Sequence, residues 1–155
     1  MERTTDRTEL ASRLRFALVP LVRRLRQQNG PDLTASQASA LGSIAKSGPL
    51  TVGELAEVER VTSPMITKIA KNLEEAGLVT RSPDPTDKRI TRLALTGAGR
   101  RRLERNRTRK AAWLATRLRE LDASDLEAIE AIIPVLERLA DDASPGRLPG
   151  SATGP

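Results

Sequence analysis

Cysteine and histidine are both absent from the 155 residues of the chain. Without cysteine the chain can form no disulfide, no thiol that senses oxidants and no thiolate metal site. Without histidine it has no imidazole ligand and no ordinary pair of nucleophile and histidine base. Aspartate and glutamate remain, but no close pair of them stands in an apolar stretch that would shift a pKa. These absences argue against an enzyme, a bound metal and a cofactor.

Aromatic residues and long apolar runs are scarce as well. Aromatics make up 1% of the chain, so aliphatic side chains must fill any core. No apolar run approaches the roughly 18 residues of a membrane span, and no signal peptide is recognisable, so we expect a cytoplasmic protein. Lysine and arginine number 26 against 20 acidic residues, a net charge of +6 that favours an anionic partner such as nucleic acid.

Two short helices are predicted in the middle of the chain. Thr51 and Glu54 have the spacing of a capping box, and Leu55, Ala56 and Val58 give the apolar side of the helix that follows.

A second helix begins after Thr62, a plausible cap, runs to about residue 76 and closes at Gly77 in a left-handed conformation. One face is apolar, formed by Ile66, Ile69, Ala70 and Leu73. The opposite face carries no carboxylate in its first turns and consists of Pro64, Thr67, Lys68, Lys71 and Glu75. Short hydroxyls and lysines suit the phosphates and base edges of a major groove, although a solvated face explains this stripe equally well.

Two short strands are predicted directly after this helix. Residues 78–81 read as the first strand and residues 90–95 as the return strand. Between them, residues 82–89 form a polar tip that contains two prolines. A helix pair followed by such a hairpin makes a winged helix-turn-helix.

Three motifs in this region resemble the MarR-type (multiple antibiotic resistance regulator) transcriptional regulators. The chain reads Leu-Thr-Ala-Ser-Gln at 33–37 and Leu-Glu-Glu-Ala-Gly-Leu-Val at 73–79. The wing reads Asp-Lys-Arg at 87–89 and Leu-Thr-Gly at 95–97. The resemblance frames residues 33–99, and the flanking regions agree with the family only by pattern and position.

The resemblance implies a two-fold dimer that binds a pseudo-palindromic operator, most often as a repressor. The helix that ends near residue 76 would enter the major groove, and the wing would reach the minor groove with Lys88 or Arg89, with Asp87 orienting Arg89. Amides at the Thr51 cap would bind a backbone phosphate. The implied DNA contacts are Thr51, Thr62, Ser63, Pro64, Thr67, Lys68, Lys71, Arg81, Asp87, Lys88 and Arg89.

The flanking regions are predicted to be helical. A basic helix spans about 6–28, with a kink at Pro20, and another begins at the capping box of Thr34 and Gln37. The buried face of the latter is predicted at Ala38, Leu41, Ile44 and Ala45. An arginine-rich helix follows residue 97, and its charges are a solvated face or phosphate contacts. A last, acidic helix begins near residue 122 and bends at Pro134.

The expected architecture is mainly α with a two-stranded wing. Residues 1–32 form an N-terminal dimerisation helix, 33–97 the DNA-binding domain, 98–143 the C-terminal dimerisation helices and 144–155 a disordered tail. By resemblance, a small aromatic or phenolic effector binds between the dimer helices and the wing domain. The residues predicted to line that cleft are Arg15, Phe16, Val19, Ile44 and Trp113, for which ordinary core packing is the simpler explanation.

Two other functions are compatible with the sequence. The basic helices would also suit a non-specific architectural protein that coats duplex DNA in a salt-sensitive way. A winged helix can alternatively serve as a protein-interaction module. The wing and the apolar flanking helices exceed what coating requires, and the lysine stripe argues weakly against a protein partner.

Overall fold

The computed structural model describes residues 6–141. It confirms a mainly α fold with one two-stranded antiparallel sheet. The first five residues of the predicted N-terminal segment and the predicted tail at 144–155 lie outside the described residues. In chain order the elements are α1 (Arg7–Arg26), α2 (Ala35–Ser47), α3 (Val52–Glu59), α4 (Ser63–Glu75), β1 (Val79–Pro83), β2 (Thr91–Leu95), α5 (Gly97–Leu118) and α6 (Ala123–Asp141).

The contacts divide the chain into two compact units, one up to Leu114 and one from Ala115. The first unit holds a core to which α2, α3, α4, both strands and the first turns of α5 contribute. Its fully buried large side chains are all aliphatic, as the scarcity of aromatics predicted: Leu41, Leu55, Ile66, Leu73 and Leu93. In the second unit, α6 buries none of its residues.

Both predicted capping boxes are present. The Thr34 Oγ1 accepts from the Gln37 amide at 3.2 Å, and the Gln37 Oε1 accepts from the Thr34 amide at 2.9 Å. At the start of α3, Thr51 and Glu54 make the same reciprocal pair at 3.1 and 2.8 Å. Gly77 has a φ of 68°, which confirms the left-handed residue after α4.

Thr62 occupies the predicted cap position of α4, although its side chain makes no capping hydrogen bond. The prediction that Val58 belongs to the buried side of α3 was wrong. Val58 is 51% exposed, and the short α3 buries only Leu55 and Ala56.

The remaining corrections concern α2 and the hairpin. In α2, Ala40 is buried and Ala45 is exposed, so the covered arc of the helix is centred on Leu41 and Ile44. The two strands pair Val79 with Leu95 and Pro83 with Thr91, so the tip is the shorter segment 84–90.

α1 is a continuous helix whose apolar side chains are exposed or only partly buried. None of its residues is buried, and Phe16 and Val19 are 68% and 54% exposed. Pro20 lies inside α1 and Pro134 inside α6, and both helices continue through them, so the predicted kinks stay predictions. The helices described within residues 6–141 include none with the combined length and hydrophobicity of a membrane span.

Two glycines of α2 should respond oppositely to alanine. Gly42 lies inside the helix and a Cβ added there would meet open space, whereas Gly48 ends the helix with a φ of 80°. Gly42→Ala should raise the free energy of unfolding by about 0.5–1 kcal/mol, because glycine loses more backbone entropy in a helix. Gly48→Ala should lower it by about 1–3 kcal/mol, because a Cβ strains that conformation. Urea titrations measure the free energy of unfolding of both variants. Equal changes in the two would contradict the positive φ assigned to Gly48.

Candidate nucleic-acid interface

The exposed face of α4 is polar and basic. Its buried positions, Ile66, Ile69, Ala70 and Leu73, match the predicted apolar stripe. All five positions predicted to contact DNA within the helix are exposed: Ser63, Pro64, Thr67, Lys68 and Lys71.

Two of these side chains already have partners within α4. The Thr67 hydroxyl donates to the Ser63 carbonyl at 2.7 Å, which is a local bond that leaves its oxygen accessible. Lys71 Nζ lies 3.7 Å from Glu75 Oε1, and both side chains are more than 60% exposed. Such an exposed pair contributes little to stability, so Lys71 can exchange Glu75 for a phosphate at small cost. No carboxylate precedes Glu74 in the helix.

The tip of the hairpin presents one arginine in a fixed orientation. Arg89 Nε and Nη2 donate to the two carboxylate oxygens of Asp87, both at 3.1 Å, and the Arg89 amide donates to Asp87 Oδ1 at 3.0 Å. The side-chain bonds from Arg89, followed by its backbone bond, lower the pKa of Asp87. The predicted orienting contact is confirmed, and the Arg89 side chain remains 90% exposed.

Two other predicted contact residues are engaged inside the domain. Arg81 Nε donates to Glu74 at 2.9 Å, which ties β1 to the end of α4. The capping box of α3 uses the amides of Thr51 and Glu54. A phosphate at this helix end would therefore have to bind the next amides, those of Val52 and Gly53.

The base of the wing is organised by Asp84, which was not among the predicted site residues. Asp84 is 6% exposed and accepts from the Thr86 hydroxyl at 2.6 Å and the Thr86 amide at 2.8 Å. It also accepts from the Asp87 amide and from Arg92 Nε. The run Asp-Pro-Thr-Asp is typical of a turn in which an aspartate caps following amides, so a local signal existed.

Arg92 connects the wing to the first part of the domain. Besides Asp84, it donates through Nη1 to Glu54 at 2.9 Å and to the Pro49 carbonyl at 3.3 Å. The pKa of Arg92 is raised, chiefly by its hydrogen bond to Asp84. The pKa of Glu54 is lowered, chiefly by the hydrogen bond from the Thr51 amide and then by the positive charge of Arg92. One guanidinium thus joins β2, the wing turn and the start of α3.

Asp84→Asn should lower stability in a pH-dependent way. The Thr86 hydroxyl, Arg92 and two amides hold the pKa of Asp84 well below its usual range. A carboxyl with a depressed folded-state pKa stabilises the fold above its unfolded pKa, about 3.9, and loses that contribution as pH falls through the folded value. Urea titrations should show the largest gap between parent and variant at pH 7 and a smaller gap at pH 3. A gap independent of pH would contradict this role.

Arg60 occupies the turn between α3 and α4 in an unusual conformation. It is the one non-glycine residue with positive φ among residues 6–141, at φ 53° and ψ 44°. A residue with a Cβ pays about 1–2 kcal/mol there, and arginine gives no sequence signal for it. Arg60 is exposed and stands two residues before Thr62 in the chain.

The residues predicted to line an effector cleft lie in different surroundings. The Arg15 guanidinium stacks over the Phe16 ring at 4.6 Å, and Val19 is exposed on the same helix. Ile44 is 2% exposed within the core, and Trp113 is half-buried on α5. The effector site itself stays a prediction. Within residues 6–141 no cluster of acidic side chains could hold a metal ion.

Known proteins share both this sequence and this fold. The model of the MarR family matches residues 33–91. An HTH-type transcriptional regulator of Mycobacterium bovis is 34% identical over 134 residues, which cover 86% of this chain and 94% of that protein. The crystal structure of a Pseudomonas aeruginosa protein described as a transcriptional regulator has 34% identity and a TM-score of 0.78, and the match covers 89% of this chain and 97% of that one. A MarR family protein from Bacillus stearothermophilus has 27% identity and a TM-score of 0.71, over 91% of this chain and 99% of that one. The chain therefore belongs to the MarR family of DNA-binding, winged helix-turn-helix transcriptional regulators.

Proposed function

We propose that the protein binds a pseudo-palindromic operator as a homodimer and represses transcription from it. The observation that carries the proposal is the exposed face of α4, which offers hydroxyls and lysines and no carboxylate before Glu74. A helix of this kind can enter a major groove without repelling the phosphates on either side. Ser63, Thr67 and Lys68 would reach base edges, and Lys71 a phosphate.

The wing supplies a second contact in this proposal. Arg89 donates two side-chain hydrogen bonds to Asp87, and its side chain stays 90% exposed. A pre-oriented guanidinium loses little conformational entropy when it enters a minor groove. Lys88 is exposed next to it and would contact the flanking phosphates. Arg81, Thr62 and the start of α3 at Thr51 would complete the DNA contacts.

The terminal helices support the dimer. α1 buries no residue, and its large apolar side chains Leu10, Phe16 and Val19 are each more than half exposed. α6 also buries none, and Leu139 is 58% exposed. Helices that expose large apolar side chains in this way are expected to be covered by another chain. We assign residues 1–32 and 98–143 to dimerisation and residues 33–97 to DNA binding.

Effector release is the remaining part of the proposal. A small aromatic or phenolic ligand would lower operator affinity only if it binds one spacing of the two α4 helices more tightly than another. Arg15 and Phe16 form the best supported part of that site, because their stacked pair is exposed on α1.

The test is binding of the full chain to its own upstream intergenic DNA and to a scrambled duplex across a salt series. We expect a preference of about 10³-fold or more and a footprint with two half-sites about one helical turn apart. Equal binding to both duplexes, lost together as salt rises, would support an architectural protein instead. Binding to neither would favour a protein partner.

A matched pair of variants tests the helix assignment. Lys68 is exposed on α4, and Lys46 lies exposed in the last turn of α2. Lys68→Gln should weaken operator binding, whereas Lys46→Gln removes the same charge and should leave it nearly unchanged. Equal losses would show that only the net charge matters.

A further inference from the structure

A cavity of about 130 Å³ lies between the loop that precedes α2 and one side of α5, within the first unit. It is separate from the exposed face of α4 and from the wing tip in sequence and in lining. Its lining includes Gly30, Asp32, Arg102, Arg105, Asn106 and Arg109.

The lining is strongly basic. Arg102 Nη1 donates to Asp32 at 3.1 Å, and Asp32 is 69% exposed at the rim. Within residues 6–141, Arg105 and Arg109 make no ion pair, so the guanidiniums outnumber the carboxylates. The cavity thus brings three guanidiniums together with one carboxylate, that of Asp32. An anion bound there would relieve the repulsion between the guanidiniums.

The loop has a glycine where an arginine crosses it. A Cβ on Gly30 would lie 3.0 Å from Arg109 Nη1, so the guanidinium lies directly over this residue. The absence of a side chain allows Arg109 to lie against the loop and line the cavity rather than extend into solvent.

Two polar atoms of the lining are buried without a partner. Asn106 is 6% exposed, and its Oδ1 accepts no hydrogen bond. The Nε of Arg102, one turn earlier, donates none. Each buried unsatisfied group is costly, so such groups call for an explanation. One atom is an acceptor and the other a donor. A ligand that satisfies both must therefore accept and donate hydrogen bonds.

We propose that this cavity binds a small oxyanion that retains an O–H group, for which hydrogen phosphate is the simplest example. Its unprotonated oxygens would accept from the guanidiniums of Arg102, Arg105 and Arg109. Its O–H would donate to Asn106 Oδ1. A phosphodiester of the DNA backbone has no O–H and would leave Asn106 unsatisfied, so the lining favours a free anion over DNA. This site is independent of operator binding.

The experiment is calorimetric titration of the full chain, without DNA, with inorganic phosphate and with sulfate at equal ionic strength. Sulfate has the same shape but no O–H at neutral pH. We expect phosphate to bind about tenfold more tightly, because only phosphate satisfies Asn106. Asn106→Leu should fold, since it removes a buried unsatisfied atom, and should abolish the preference for phosphate.

Charge variants test whether phosphate binds in this cavity or responds only to the overall positive charge of the protein. Replacing Arg105 and Arg109 together by glutamine should lower phosphate affinity about tenfold or more. Arg107→Gln removes a charge from the same helix outside the cavity and should leave the affinity unchanged. No phosphate binding, or equal binding of both anions that also falls in Arg107→Gln, overturns the proposal. Loss of operator binding in the double variant, with no binding of free phosphate, would assign these arginines to the DNA backbone and also overturn it.

Discussion

Arg89→Ala is expected to lower operator affinity by about 1–3 kcal/mol, on the order of tenfold to a hundredfold. The side chain is 90% exposed, and within residues 6–141 it pairs with no side chain but that of Asp87, so it stabilises the fold very little. Its loss should therefore leave the melting temperature unchanged. Binding measured by fluorescence anisotropy across a salt series should also show a slope reduced by about one, as expected for one lost DNA-bound cation.

Two variants serve as controls for Arg89. Asp87→Ala removes the orienting carboxylate but leaves the cation, so it should cost less affinity than Arg89→Ala. Arg138→Ala removes an exposed arginine from α6, outside the winged domain, and should bind operator like the parent. If Arg89→Ala and Asp87→Ala both bind like the parent, the wing makes no DNA contact.

Gly99→Ala is expected to have the largest effect on stability. A Cβ at this position would lie 2.0 Å from the Leu78 carbonyl oxygen, and Leu78 is buried at the junction of α4 and β1. The obstructing atom belongs to the backbone, so no rotamer change can relieve the overlap. The free energy of unfolding should fall by about 3 kcal/mol, and the melting temperature by about 5–10 °C.

Gly97→Ala is the matched control, two residues earlier. A Cβ there would lie 3.4 Å from Arg101 Nη1, the flexible end of an exposed side chain. Its melting temperature should therefore remain close to that of the parent. A Gly99→Ala protein that melts with the parent would show that α5 and Leu78 are not in close contact.

Local patterns predicted most of the winged domain. The two Thr-x-x-Glu/Gln capping boxes, the stripe of α4 and the glycine after it depend on spacings of three or four residues, which a sequence displays directly. The orientation of Arg89 by Asp87 also lies within three residues of chain.

Contacts between distant segments were missed, because no local pattern reports them. Arg92 and Glu54 are 38 residues apart, so nothing near Arg92 indicates its role. Gly99 looks like an ordinary helical glycine until Leu78 is placed against it. Arg60 adopts a left-handed conformation that the geometry of the α3–α4 turn imposes and that arginine does not favour.

The bonds of Arg92 also bear on how the complex with DNA would come apart. Because one guanidinium holds Asp84 of the wing turn and Glu54 of α3 together, the wing is anchored to the helix-turn-helix rather than hinged freely on it. Major-groove and minor-groove contacts would then be released in a single kinetic step. Without the bonds from Arg92, the wing could detach and rebind while α4 remains bound. The complex would then have a short residence time and would dissociate in two phases.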